Sequence, residues 1–419
     1  MKKRRVVITG LGVVAPNGIG KDEFWNALIN GKSGVDLIMS FDTSELSSKI
    51  AAQSIDFDPL NYMDKKLARK VDRFVHLGLA ASRMALDDSS LNLEKENRDR
   101  IGIIVGSVFG GVLFHESQII ARCQGKLNRV DPLTVPKVTS NSVTSHIAMT
   151  YGITGLNLVV SNACASGANA IGQAFSFIQN NEADIIFAGG VEAPISPITF
   201  ASFCNLQLLS RGNSSPQTAC RPYDKERDGF VLGEGGSVLI VEELTHAIKR
   251  NAYVYAEIAG YATNCGSYHM ILPEPGGIEN GKVMKAAIDD AEMQPQDIDY
   301  ISAYGNATQL YDKAETQSIK RVFNEAAYNI PVSSIKSMIG HAVGASGALE
   351  AVSCILALEN NVIPPTINYS SPDPDCDLDY VPNKARKARL NSVLLNSCGV
   401  GNNNASLIFS RFIDKRSAN

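Results

Sequence analysis

Short apolar runs alternate with helical stretches along this chain, and most of the runs end in glycine. Residues 6–10 read as a first strand, followed by a loop over 11–20. A helix then starts at Lys21, with Phe24, Trp25, Leu28 and Ile29 on one side. Residues 33–65 have no clear period and read as irregular. A helical pattern covers 65–89 and opens on Lys65, Lys66, Arg69 and Lys70. Residues 101–105 form an apolar strand that runs into Gly106-Ser107-Val108-Phe109-Gly110-Gly111, where small residues allow close backbone approach. Amphipathic pieces and a polar loop, 136–142, fill residues 112–150. Leu158-Val159-Val160 then leads through Ser161-Asn162-Ala163-Cys164-Ala165-Ser166-Gly167 into a helix with Ile171, Ala174, Phe175 and Ile178 on one face. Strands over 185–188 and 237–241 close this half. The plan starts again with a strand over 254–261, a helix over 281–291, a strand over 298–303 and helices over 315–324 and 347–359. Strands over 393–396 and 405–409 end it. Strand–helix alternation with glycine turns at the strand ends predicts an α/β fold of sheets covered by helices. Its two similar halves are 1–252 and 253–419. No stretch is rich enough in Pro, Gly or Ser to be a linker, so the halves read as one body.

Composition narrows the setting. The 419 residues are 44% hydrophobic and 20% charged, enough for a large core, and the net charge of −4 gives no case for nucleic acid or an anionic membrane. No apolar run approaches the length of a membrane span, and the apolar stretch after Met1-Lys2-Lys3-Arg4-Arg5 is too short for a signal peptide. The eight cysteines are scattered without CxxC pairs or metal-ligand spacing. Free thiols in a reducing, cytoplasmic compartment and no metal are the expectation.

Cys164 sits where a strand turns into a helix. The helix dipole there favours thiolate, and small neighbours leave room for a substrate carbonyl, so it reads as a nucleophile that is acylated. Gly10-x-Gly12 after the first strand is only a weak match to a dinucleotide loop, because the third glycine and the acidic partner are missing. Three further segments carry chemistry. Lys336 and His341 lie in Lys336-Ser337-Met338-Ile339-Gly340-His341-Ala342-Val343-Gly344. Ser302-Ala303-Tyr304-Gly305-Asn306-Ala307-Thr308 leads towards Glu315, and Asn396-Ser397-Cys398-Gly399-Val400-Gly401-Asn402-Asn403-Asn404 ends a strand.

With these segments the chain resembles, from end to end, the β-ketoacyl-acyl carrier protein synthases, the decarboxylating condensing enzymes of the thiolase-like fold. Ala259-Gly260-Tyr261-Ala262-Thr263-Asn264-Cys265 and Asp373-Pro374-Asp375-Cys376-Asp377 look most like ketosynthases of type II polyketide systems. The resemblance implies a layered αβαβα body and a Claisen condensation in polyketide or specialised fatty-acid synthesis. By resemblance Cys164 carries the acyl chain, and the backbone N–H groups of Cys164 and Val400 form the oxyanion hole. His341 holds the enolate, Lys336 matches the family's active-site lysine, and Glu315 is the carboxylate that orders this network. Asn306 and Thr308 stand where the pantetheine arm is held, Phe109 matches an acyl-pocket residue, Phe230 and Val400 are further substrate-binding positions, and Lys65, Lys66, Arg69 and Lys70 are positions that dock an acidic carrier protein. No cofactor is implied beyond the phosphopantetheine arm that the carrier supplies. The partners implied are acyl carrier protein and either a second copy or a second ketosynthase-like subunit.

The departures are as informative. Tyr304 stands where the family's first histidine belongs, Asn306 replaces a threonine, and Val400 replaces the gating phenylalanine. A phenol ordinarily titrates near about 10, so it can donate a hydrogen bond but is a poor base at neutral pH. The small neighbours Ala303 and Gly305 suggest spare room around it. Phe109 is bulkier than the aliphatic residue of long-chain synthases and hints at a short pocket. A non-elongating acyltransferase and a chain-length-factor-like partner are the competing readings, and Cys164 speaks against the second. Cys398 raises a thiolase reading, but its surroundings lack that family's glycine run.

Overall fold

Ten apolar runs become strands, and their order is the same in the two halves of the chain. The computed structural model describes residues 3–125 and 130–413. In the first half, β1 (Val6–Ala15), β2 (Ile101–Gly106), β3 (Asn157–Val160), β4 (Ile185–Glu192) and β5 (Gly235–Glu243) lie side by side as β3-β2-β4-β5-β1. In the second, β6 (Ala256–Cys265), β7 (Tyr300–Ser302), β8 (Val332–Ser333), β9 (Ser392–Gly399) and β10 (Asn403–Ser410) lie as β8-β7-β9-β10-β6. Each half pairs its second strand in parallel with the third and fourth, and the remaining pairs are antiparallel. Val6–Ile8 against Ala256–Ile258 joins the two halves edge to edge.

Five helices make the layers: α1 (Arg73–Ser89), α2 (Ser166–Gln179), α3 (Ile278–Asp290), α4 (Gln309–Phe323) and α5 (Ser346–Asn360). α2 and α5 pack on each other and on strands of both halves, so they form the middle layer. Every residue of α5 from Ser346 to Leu358 is buried, as an apolar helix between two sheets requires. α1 covers β1, β4 and β5 on one outside, and α3 covers β6 and β10 on the other, with α4 against α3. The result is the αβαβα order of a thiolase-like fold.

Three local expectations change. The first strand does not stop at Gly10 but runs to Ala15, because 11–14 pair with β5 and are buried. The two early glycines mark a close crossing of helix on strand: a Cβ on Gly12 would stand 1.9 Å from the carbonyl oxygen of Ala81, and one on Gly10 2.3 Å from that of Ala85, both in α1. The helical pattern over 65–89 breaks into a short helix, Lys65–Ala68, and α1. Asp72 in between is extended, and its carboxylate accepts a bond from the Phe114 N–H at 2.7 Å. The irregular stretch 33–65 contains a small antiparallel pair, Val35–Leu37 with Ile50–Ala52.

Candidate active site

β3 leads to Cys164, the residue expected to be the nucleophile. Its chain turns through Ala163, whose φ of 50° is left-handed, and places Cys164 two residues before α2 begins. Ser166 buttons this turn, accepting from the Asn162 N–H at 2.8 Å and donating to the Ala163 carbonyl at 2.6 Å. From the other half, the turn after β9 comes close enough that a Cβ on Gly399 would stand 3.0 Å from the Cys164 nitrogen. The Val400 N–H of that turn favours the thiolate of Cys164. The two segments expected to supply the oxyanion hole are therefore packed against each other.

His341 comes from the glycine turn before α5. Its Nε2 lies 3.1 Å from Cys164 Sγ and 3.3 Å from the Tyr304 hydroxyl, and its Nδ1 lies 2.9 Å from Ser346 Oγ. The Phe230 ring meets the imidazole edge-on, with centroids 5.2 Å apart. Burial, and then the positive charge of Lys336, hold His341 well below the ordinary imidazole value, so it is neutral. Burial likewise raises Tyr304 well above the ordinary phenol value, so it keeps its proton. For Cys164 the expected thiolate is not the resting form. Burial pushes the thiol up, against the hydrogen bond from Tyr304, the Lys336 charge and the Val400 N–H. A dipole at the start of one helix is outweighed where the sulfur is largely buried.

Glu315, on α4, organises the turn after β7. Its carboxylate accepts from the Tyr304 N–H at 2.7 Å, the Gly305 N–H at 2.8 Å, the Tyr223 hydroxyl at 2.8 Å and Asn396 Nδ2 at 2.6 Å. The space beside Gly305 is not free: a Cβ there would stand 2.6 Å from the Tyr223 hydroxyl. Lys336 donates to the Tyr304 carbonyl at 2.6 Å, and its ion partner is Glu350 of α5 rather than Glu315. Asn306 links the next residues, with Nδ2 3.4 Å from the Tyr304 hydroxyl and Oδ1 accepting from Thr308 Oγ1 at 2.7 Å. Cys398 is buried, accepts from Asn280 Nδ2 at 3.1 Å and is raised well above the ordinary thiol value by burial, which suits a small core residue and not a second nucleophile.

Cys164, His341 and Tyr304 line a cavity of about 650 Å³, together with Phe109, Phe203, Phe230, Asn306, Thr308, Tyr311 and Val400. Phe109 packs edge-on against Phe203, and Phe203 against Phe230, so three rings run from His341 down one wall. Lys65, Lys66, Arg69 and Lys70 are exposed on and just after the short helix 65–68 and do not line the cavity. Glu350, Tyr223, Tyr311 and Phe203 are additions to the residues the sequence singled out. Glu350 had a signal, being the only charge in the apolar run 346–358. The others meet the site only through tertiary contacts. Among the described residues, no group of three or more His, Cys, Asp or Glu is placed to hold a metal ion, and no helix is long and apolar enough to cross a membrane.

A cysteine, a histidine and a lysine on the turns of a duplicated α/β body define a condensing enzyme of the thiolase-like kind. The chain belongs to the β-ketoacyl synthase family: the family's N-terminal domain matches residues 3–247 and its C-terminal domain residues 255–370. It is 43% identical over 414 residues to 3-oxoacyl-[acyl-carrier-protein] synthase 2 of Coxiella burnetii, covering 99% of this chain and 100% of the relative. Two solved structures match with 98% of this chain and 100% of theirs covered. One is a type II polyketide ketosynthase bound to a hexaketide and in complex with its acyl-carrier protein (TM-score 0.91, 34% identical). The other is the ishigamide ketosynthase/chain length factor (TM-score 0.92, 33% identical). The chain is thus a ketosynthase, an acyltransferase that condenses.

Proposed function

We propose that this ketosynthase elongates carrier-bound acyl chains in polyketide or specialised fatty-acid synthesis, with Tyr304 in the role of an enolate donor. What carries the reading is one juxtaposition. Cys164 Sγ and the Tyr304 hydroxyl both lie beside His341 Nε2, at 3.1 and 3.3 Å, with the turn that carries Val400 packed against Cys164. Cys164 sulfur attacks the acyl thioester carbonyl, an S–C bond forms, and the pantetheine thiol leaves with the proton. The N–H groups of Cys164 and Val400 hold the tetrahedral oxyanion. A malonyl thioester then loses CO₂, and the electron pair of the broken C–C bond becomes an enolate held by His341 and Tyr304. The enolate carbon attacks the Cys164 thioester carbonyl, the new C–C bond forms as the C–S bond breaks, and the released sulfur takes a proton from solvent to return the thiol.

The pantetheine arm passes Asn306 and Thr308, so no cofactor is needed beyond the one the carrier brings. Exposed Lys65, Lys66, Arg69 and Lys70 meet an acidic carrier protein. The outer edge of β3, where Leu158 is 37% exposed, serves a second subunit, either a copy or a ketosynthase-like partner. Release of ¹⁴CO₂ from malonyl-carrier protein by enzyme acylated at Cys164 tests the reading. Release is expected from wild type, while acylation without release, with every candidate partner subunit present, would leave a non-elongating acyltransferase. That second reading is favoured by Tyr304 alone.

A further inference from the structure

Glu192, the last residue of β4, takes no part in the chemistry above, yet it is fully buried and touches both sides of the site. Its Oε2 accepts from the Val108 N–H at 2.8 Å and the Gly344 N–H at 3.1 Å. Its Oε1 accepts from the Phe109 N–H at 3.0 Å and Ser107 Oγ at 3.2 Å. One carboxylate thus joins the end of β4, the turn after β2 that carries Phe109, and the turn that carries His341.

The contact is a built one. A Cβ on Gly344 would stand 2.5 Å from Glu192 Oε2, so the position needs glycine. The preceding Val343, a β-branched residue lining the cavity, is held at a left-handed φ of 45°. Such strain persists where surrounding bonds over-determine it, and the Gly344 N–H bond is one of them. Four donors oppose burial and leave the Glu192 carboxyl at about 7.

We infer that Glu192 is a positioning residue for the acyl pocket: through the backbone of Phe109 and Gly344 it fixes the Phe109 ring relative to His341, and so sets the length of acyl chain that Cys164 accepts. The inference rests on acylation at Cys164. Loading of the wild type alone tests that premise, and its absence would be a failure of the functional reading and not of this one.

The experiment is a competition among saturated acyl thioesters of graded length, read as the relative intact-mass yields of acyl-enzyme within one sample. A loss of folded protein lowers every yield together and leaves the ratios alone. Glu192→Gln keeps the shape but sets an NH₂ against N–H donors, so the ratio of long to short acyl-enzyme should rise about tenfold, the scale of one charged hydrogen bond lost. Phe109→Ala should raise the ratio by itself, and adding Glu192→Gln to it should change the ratio little further, because both act on one ring. If Glu192→Gln fails to fold, Ser107→Ala removes one donor from the same carboxylate and should shift the ratio the same way by less. An unchanged ratio in the folded single variants, or shifts that add in full in the double variant, would overturn the inference.

Discussion

Two uncharged donors, a buried phenol and a buried imidazole, face the Cys164 sulfur where the family ordinarily has two imidazoles. Either kind of group can donate one hydrogen bond to an enolate oxygen, and neither carries a charge that would cost desolvation here. Tyr304→Phe removes one donor and leaves the ring. CO₂ release from malonyl-carrier protein should slow by about 10²-fold or more, with acylation of Cys164 spared. If the phenol does not serve decarboxylation, the same variant changes little and Tyr304→His raises condensation. Cys164→Ala should abolish the acyl-enzyme mass shift while the thermal midpoint holds, since it removes the nucleophile and little volume. The pH profile follows from the same burial. With the thiol raised and His341 held low, single-turnover acylation should climb towards the ordinary thiol range and show no inflection near about 6.5, the ordinary imidazole value.

At the scale of elements, close backbone approach at glycines packs helices and turns on the strands. Gly12 packs β1 on the α1 backbone, and Gly167 and Gly190 each face the Gly344 carbonyl, where a Cβ would stand 2.8 Å from its oxygen. These contacts draw the middle layer, β4 and the His341 turn together. Gly12→Ala drives a methyl into the main chain of α1, and neither element can yield without losing its own packing. A destabilisation of about 1–3 kcal/mol is expected, measured as a lowered urea midpoint. A midpoint within error of wild type would mean that α1 and β1 can separate freely. The glycine pattern Gly10-x-Gly12, legible from sequence as a nucleotide-loop candidate, has this packing role instead.

For the whole molecule, the buried carboxylates give stability an unusual pH dependence. Burial pushes Glu192 and Asp312 each up to about 7. Between the ordinary carboxylate range and about 7, the folded chain keeps protons that the unfolded chain releases. Their contribution is therefore full on the acid side and is lost as pH rises through about 7. Asp184, bonded by Arg100 and Arg4 and lowered to about 2, acts in the other direction, its contribution being lost as pH falls towards that value. Glu192→Gln cannot ionise, so its urea midpoint should gain on wild type as pH rises from about 5 to about 8, and a constant difference across that range would contradict the assignment. The sequence by itself determined the alternation of strands and helices, the duplicated plan, the turn carrying Cys164, and the motif residues His341, Lys336, Glu315 and Tyr304. The first three are local, set by apolar period, glycine placement and residue order, and the motif residues were legible through their resemblance to the ketosynthase motifs. Only the tertiary structure decided that the thiol is protonated at rest, that Lys336 pairs with Glu350, that Tyr223 fills the space beside Gly305, and that Glu192 ties the pocket wall to the histidine turn. Each of these depends on desolvation or on contacts between segments far apart in the chain, and neither leaves a period or a spacing to read.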